Sequence, residues 1–381
     1  MIKPEGVVEE ESLSLWEAAI KSFMGPVLPF LKDEAVTEIL INGPKKIYVE
    51  KKGKLQKVDA EFNDEDALQA AIHNIAQSVG RRVSEEKPQL DARLPDGSRI
   101  HAVFPPCARN GTTVSIRKFS KTKMDFAEYV KRGALSVEGA QFLDVCMFLG
   151  KNIIVSGGTG SGKTTLLGIL SGRTPPGHRV IVIEDASELI LDYEHTVRFE
   201  TRMADEQGKG EVSMRDLLKS SLRLRPDHII VGEVRGVEAI ELINAMNTGH
   251  RGCLGTIHAN SPVDSLVRLE TLAMSGETQI SETAIRSQIA SAVQIVVQIS
   301  RFPDGSRRVA SIAEVRGMNA DKTYNVVELF KIHDMKRLPD GKLSGTLCST
   351  GEIPSFMAEI ENNRIPFGRE KFSGPNKLKI A

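Results

Sequence analysis

Residues 157–165 read GGTGSGKTT, and no other stretch limits the fold of this chain as strongly. Gly157, Gly162, Lys163 and Thr164 satisfy the spacing G-x-x-x-x-G-K-[ST], in which backbone N–H groups turn inward around phosphate oxygens. An apolar run, Ile153, Ile154 and Val155, leads into the loop, and a helical run from Leu166 to Leu170 leaves it. A strand feeding a phosphate loop that opens a helix is the supersecondary unit of α/β domains with a largely parallel sheet.

The residue types explain the ligand. Gly158, Thr159, Gly160, Ser161 and Gly162 form the cradle, and the N-terminal end of the following helix adds positive potential. Lys163 is the point charge for β- and γ-phosphates, Thr164 a hydroxyl ligand for Mg²⁺, and Thr165 a further phosphate contact. The expected occupant is a nucleoside triphosphate with Mg²⁺.

Beyond the loop, apolar runs at 180–183, 228–231 and 253–257 alternate with helical stretches at 217–224 and 237–246, as a mostly parallel sheet requires. A later antiparallel pair, 293–300 and 308–315, turns at Asp304-Gly305. The string PDGSR occurs at 95–99 and again at 303–307, and two separate hairpins account for the repetition. Earlier in the chain the pattern is different. Short strands at 38–41, 47–50 and 55–58 precede a helix opened by Asp64, and a hairpin on Asp96-Gly97 is followed by a strand at 112–119. The expected layout is an N-terminal helical extension (1–34) with an amphipathic helix at 12–24, then an α+β domain (35–120) and a linker (121–136). An α/β domain (137–340) and a loosely packed Pro/Gly-bearing extension (341–381) complete it.

Composition narrows the class. With 381 residues, 40% hydrophobic and 26% charged, the chain is long enough for two cores and too balanced for a disordered one. Fifty basic residues against fifty acidic ones, with 5% aromatics, argue against a broad nucleic-acid surface or a stacking channel. Four scattered cysteines without a CxxC pair suggest neither a zinc site nor a disulfide framework. The acidic start lacks a signal-peptide pattern and no segment reads as a membrane span, so a cytoplasmic location is expected.

Carboxylates fall at the ends of the strands near the loop: Glu184 and Asp185 after 180–183, and Glu233 after 228–231. Hydrolysis needs one group to orient water and another to act near Mg²⁺ while γ-phosphoryl charge is stabilised. The segments IEDASEL (183–189), RFETR (198–202), EVSMRDLLKSSLRLRPDHIIVGEVRG (211–236) and NTGHRGCLGTIHANSP (247–262), with LDARLPDGSRIHAV and SIRKF upstream, resemble the secretion ATPase superfamily. The nearest branch is the CpaF/TadA-type ATPase of tight-adherence (Tad) pilus systems.

The resemblance implies an α+β domain followed by a RecA-like ATPase domain, assembled as a homohexamer that works on integral inner-membrane platform proteins. It implies Glu184 as the water-activating acid, also placed with Thr164 and Glu233 at Mg²⁺, Glu233 as the Walker B acid, His258 as the γ-phosphate sensor and His250 as a second His-box residue. Arg93, Arg99 and Arg117 match arginines that complete the nucleotide site. Arg225 and Arg235 flank the Walker B strand. A type IV secretion ATPase of the same superfamily is the neighbouring alternative, and a RecA-like nucleic-acid motor is a more distant one.

Overall fold

The computed structural model describes residues 23–51, 53–119, 124–204, 208–276 and 280–374. They fall into two compact units, with the division between residues 122 and 123.

The first unit is an antiparallel six-stranded sheet with a helix on one face. Its strands are β1 (Val36–Asn42), β2 (Ile47–Lys51), β3 (Lys54–Lys57), β4 (Gln89–Arg93), β5 (Arg99–Val103) and β6 (Thr113–Arg117), ordered β3-β2-β1-β6-β5-β4. The helix Glu65–Ser78 starts where the Asp64 carboxylate accepts the Ala67 N–H at 2.8 Å. Its apolar face, Leu68, Ala71, Ile72 and Ile75, is buried with Ile39, Ile41, Ile100 and Ile116. Strand alternation sends the intervening residues to the other face. There the register sets Arg93 opposite Arg99, Arg99 opposite Arg117 and Arg117 opposite Glu38.

The second unit carries a nine-stranded mixed sheet. Its strands are β7 (Ile153–Gly157), β8 (Val180–Glu184), β9 (Thr196–Glu200), β10 (His228–Val231), β11 (Leu254–Ile257), β12 (Ile295–Arg301), β13 (Arg307–Met318), β14 (Tyr324–Arg337) and β15 (Leu343–Ser349). The order is β15-β14-β13-β12-β7-β11-β10-β8-β9, parallel from β12 to β9 and antiparallel from β12 to β15. Every residue of β7, β8, β10 and β11 is buried, which explains their unbroken apolar character: helices cover both faces. Helices Val137–Phe148 and Lys163–Ser171 share one core, while Met214–Ser221, Glu238–Asn247, Pro262–Met274 and Glu282–Ala292 share the other.

Several expectations need correction or addition. The stretch 341–374 is not loose: β15 closes one end of the sheet, and Phe367 and Phe372 pack on Phe142 at ring separations of 6.0 and 5.7 Å. The linker expected at 121–136 carries the helix Phe126–Lys131, as the helical periodicity of 126–132 leads one to expect, and that helix belongs to the second unit. Strands β9 and β14 and the helices Pro262–Met274 and Glu282–Ala292 were not anticipated. The helix expected at 12–24 lies outside the described residues except for its last two positions. No helix among the described residues is long and apolar enough to cross a membrane.

Candidate nucleotide site

The loop after β7 has the backbone that its glycines allow. A Cβ on Gly157 would stand 2.4 Å from the Ile299 carbonyl oxygen, so any larger residue would force β12 away from the loop. Gly160 and Gly162 adopt φ of +66° and +100°, the left-handed region that turns successive amides toward one point. Gly162 caps the helix Lys163–Ser171, so the positive end of that helix opens into the loop.

Lys163 is only 7% exposed. Its ammonium donates to the Gly157 and Gly158 carbonyls at 3.0 Å each and lies 3.3 Å from both ring nitrogens of His258. His258 follows β11, the neighbour of β7, and its Nε2 sits 2.9 Å from Glu233 Oε1. Glu233 follows β10, the next strand, and its other oxygen accepts from Arg235 at 2.6 Å. Arg235 also reaches Asp185, after β8, at 3.4 Å. Four adjacent parallel strands thus deliver one connected line of polar contacts: Lys163, His258, Glu233, Arg235, Asp185.

Burial, and then the Lys163 ammonium, push the His258 imidazole below its ordinary pKa, so it is neutral near pH 7. A neutral ring offers Lys163 an accepting nitrogen, and its Nε2 edge stays within 2.9 Å of Glu233 Oε1. Burial alone would raise Glu233, but the Arg235 hydrogen bond and charge, with His258 and Lys163, hold it below the usual carboxylate range. Glu184 differs. It is 3% exposed, and burial pushes its pKa up despite the Glu188 and Leu189 amides that donate to Oε1 at 2.9 Å each. Gly232 covers it, and a Cβ there would stand 2.9 Å from Glu184 Cγ.

Of the residues expected from sequence, Lys163, His258 and Glu233 come together, with Asp185 joined through Arg235. Thr164 and Thr165 lie at the helix start, half-buried and exposed. Gly158, Thr159 and Gly160 are exposed on the loop, while Ser161 is buried and donates to the Gly158 carbonyl at 2.8 Å. His250 and Arg225 do not join the group: they precede β11 and β10, at the strand ends opposite those that carry His258 and Glu233. Arg93, Arg99 and Arg117 belong to the first unit. Arg307 was missed. It starts β13 and its Nε donates to the Gly160 carbonyl at 2.8 Å, and the only sequence signal was its place at the end of the second PDGSR string.

Phosphate loop, parallel sheet and strand-end acids define a RecA-like P-loop domain preceded by a smaller α+β unit. The family model described as "Type II/IV secretion system protein" matches residues 21–329, and the chain belongs to that family of secretion and pilus ATPases. It is similar to a Mycobacterium tuberculosis protein named as a conjugal transfer protein, at 37% identity over 298 residues, covering 77% of this chain and 84% of that one. It is also similar to the type IV secretion system protein VirB11 of Bartonella quintana, at 29% identity over 331 residues, covering 77% of this chain and 92% of that one. Among solved structures, the pilus retraction motor PilT with bound ADP shares the fold: TM-score 0.53, 21% identity, with 80% of this chain and 83% of that chain covered.

Proposed function

We propose that this chain is an ATP-hydrolysing motor subunit that works as a homohexamer on the inner-membrane platform of a Tad-type pilus or related secretion system. The observation that carries the reading is the connection from Lys163 through His258 to Glu233 at the mouth of the phosphate loop. Lys163 leaves the loop carbonyls to meet the β- and γ-phosphates, and the fixed amides of the loop hold the chain of phosphates in line. Glu184, anchored through Oε1 and raised by burial, takes the proton of the attacking water. His258, in contact with both Lys163 and Glu233, registers whether a γ-phosphate is present. Mg²⁺, when bound with the substrate phosphates beside Thr164 and Glu233, neutralises developing charge on the phosphoryl oxygens. Arg93, Arg99 and Arg117 stand side by side in the sheet of the first unit, a cationic edge suited to an anion.

Binding energy at the γ-phosphate closes the protomer and hydrolysis releases it, which converts turnover into displacement. The primary test is Mg²⁺-dependent phosphate release by the purified chain together with its mass in solution; a monomer without turnover overturns the proposal. A second reading, a type IV secretion ATPase, draws support from the names of its relatives. Recovery of pilus-assembly or conjugation components with the chain from membranes separates the two. ATPase activity strongly stimulated by single-stranded nucleic acid would favour a nucleic-acid motor instead.

A further inference from the structure

The helix Phe126–Lys131, the first element described after the connection between the two units, buries Tyr129 to 4% exposure. The Tyr129 hydroxyl has no hydrogen-bond partner among the described residues. It lies 4.0 Å from the point where a Cβ on Gly162 would stand, beside the N-terminus of the nine-residue helix Lys163–Ser171. The Arg307 side chain comes within 3.6 Å of the same point through Cδ, and Ile299 within 3.5 Å through Cδ1. Neither atom can hydrogen-bond to the hydroxyl.

A phenylalanine would fill this space without burying an unsatisfied O–H, which is costly in a low-dielectric interior. The hydroxyl therefore calls for a partner that no described residue around it supplies. We propose that the Tyr129 hydroxyl is held in reserve as a hydrogen-bond donor to an oxygen of the bound nucleotide beside Gly162, making Tyr129 a nucleotide contact outside the phosphate-loop motif. The inference rests on the nucleotide-binding reading above. Arg307, adjacent and cationic, favours an anionic partner at this position.

The test is Tyr129→Phe in the full chain, read by equilibrium dissociation constants for ADP and ATP and by melting temperature with and without ADP. Losing one hydrogen bond to an anionic oxygen should weaken both nucleotides by about 10- to 150-fold. The melting temperature without nucleotide should hold or rise, because an unsatisfied buried group is gone, while the ADP-induced shift shrinks. An unchanged dissociation constant in the variant overturns the inference and leaves the parent reading standing. So does a lower nucleotide-free melting temperature with a full ADP shift, which would assign the hydroxyl to the fold. Wild-type protein that binds neither nucleotide overturns both.

Discussion

Replacing Glu184 by Gln should stop turnover while leaving the fold and nucleotide binding in place. Glu184 Oε1 accepts two amides, from Glu188 and Leu189, and a Gln Oε1 accepts the same two. Those bonds weaken when the acceptor loses its charge, by roughly half of a charged bond's ~1.5–3 kcal/mol each. In the other direction, burial penalises the carboxylate at every pH above its raised pKa, and a neutral amide removes that penalty. The two effects oppose each other, so the net change in stability should stay within about 1–2 kcal/mol. Turnover is different, because an amide cannot take a proton from water, and general-base catalysis is worth about 10²–10⁴-fold. Phosphate release should fall by that factor, while the ATP dissociation constant, from titration of a fluorescent analogue, should move less than about threefold. Turnover within threefold of wild type would refute the assignment. If Glu188→Gln abolished turnover instead, the water-activating role would pass to Glu188, whose charge also acts on Arg235.

Lys163→Ala should weaken ATP and ADP binding by about 10²- to 10³-fold, since a partly buried ammonium–phosphate contact is worth roughly 3–4 kcal/mol; calorimetric titration checks it. Gly252 has φ of +72° and its Cβ would lie 2.4 Å from His228 Nδ1, which is stacked on His178 and bonded to the Gly252 carbonyl. Gly252→Ala should therefore cost about 2–4 kcal/mol, from left-handed backbone plus displaced buried hydrogen bonds, visible as a drop of roughly 4–16 °C in melting temperature. His258 has a lowered pKa in the fold, so its contribution to stability is complete above the unfolded imidazole pKa and is lost as pH falls from there toward the folded value. His258→Gln should flatten that part of the melting-temperature profile below about pH 6.5, and an unchanged slope would contradict the network.

The sequence announced those parts of the fold where local chemistry and tertiary role coincide. The phosphate loop needed glycines in the left-handed region, and those same glycines made it visible. The strands β7, β8 and β10 were legible because burial on both faces demands unbroken apolar runs. Strand β14 was not: after Phe330 most of its residues are polar and it is covered on few sides, so no periodicity marked it. The helix Pro262–Met274 carries a start signal, Ser261 accepting the Asp264 N–H before an apolar face, but Asn260, Ser261 and Pro262 in succession read equally as a turn. At the site, Lys163, Glu233 and His258 were nameable from motif and resemblance. Their line of contact depends on strand order, and strand order is not written in local sequence. Arg307 and Tyr129 approach the loop from a hairpin and a preceding helix, which spacing alone cannot place.

The most direct test is a crystal structure with a non-hydrolysable ATP analogue and Mg²⁺. The account requires the β- and γ-phosphates within hydrogen-bonding distance of the amides at 160–165, with the Lys163 ammonium moved from the Gly157 and Gly158 carbonyls onto phosphate. An analogue bound elsewhere, with Lys163 still on those carbonyls and still against His258, would contradict it.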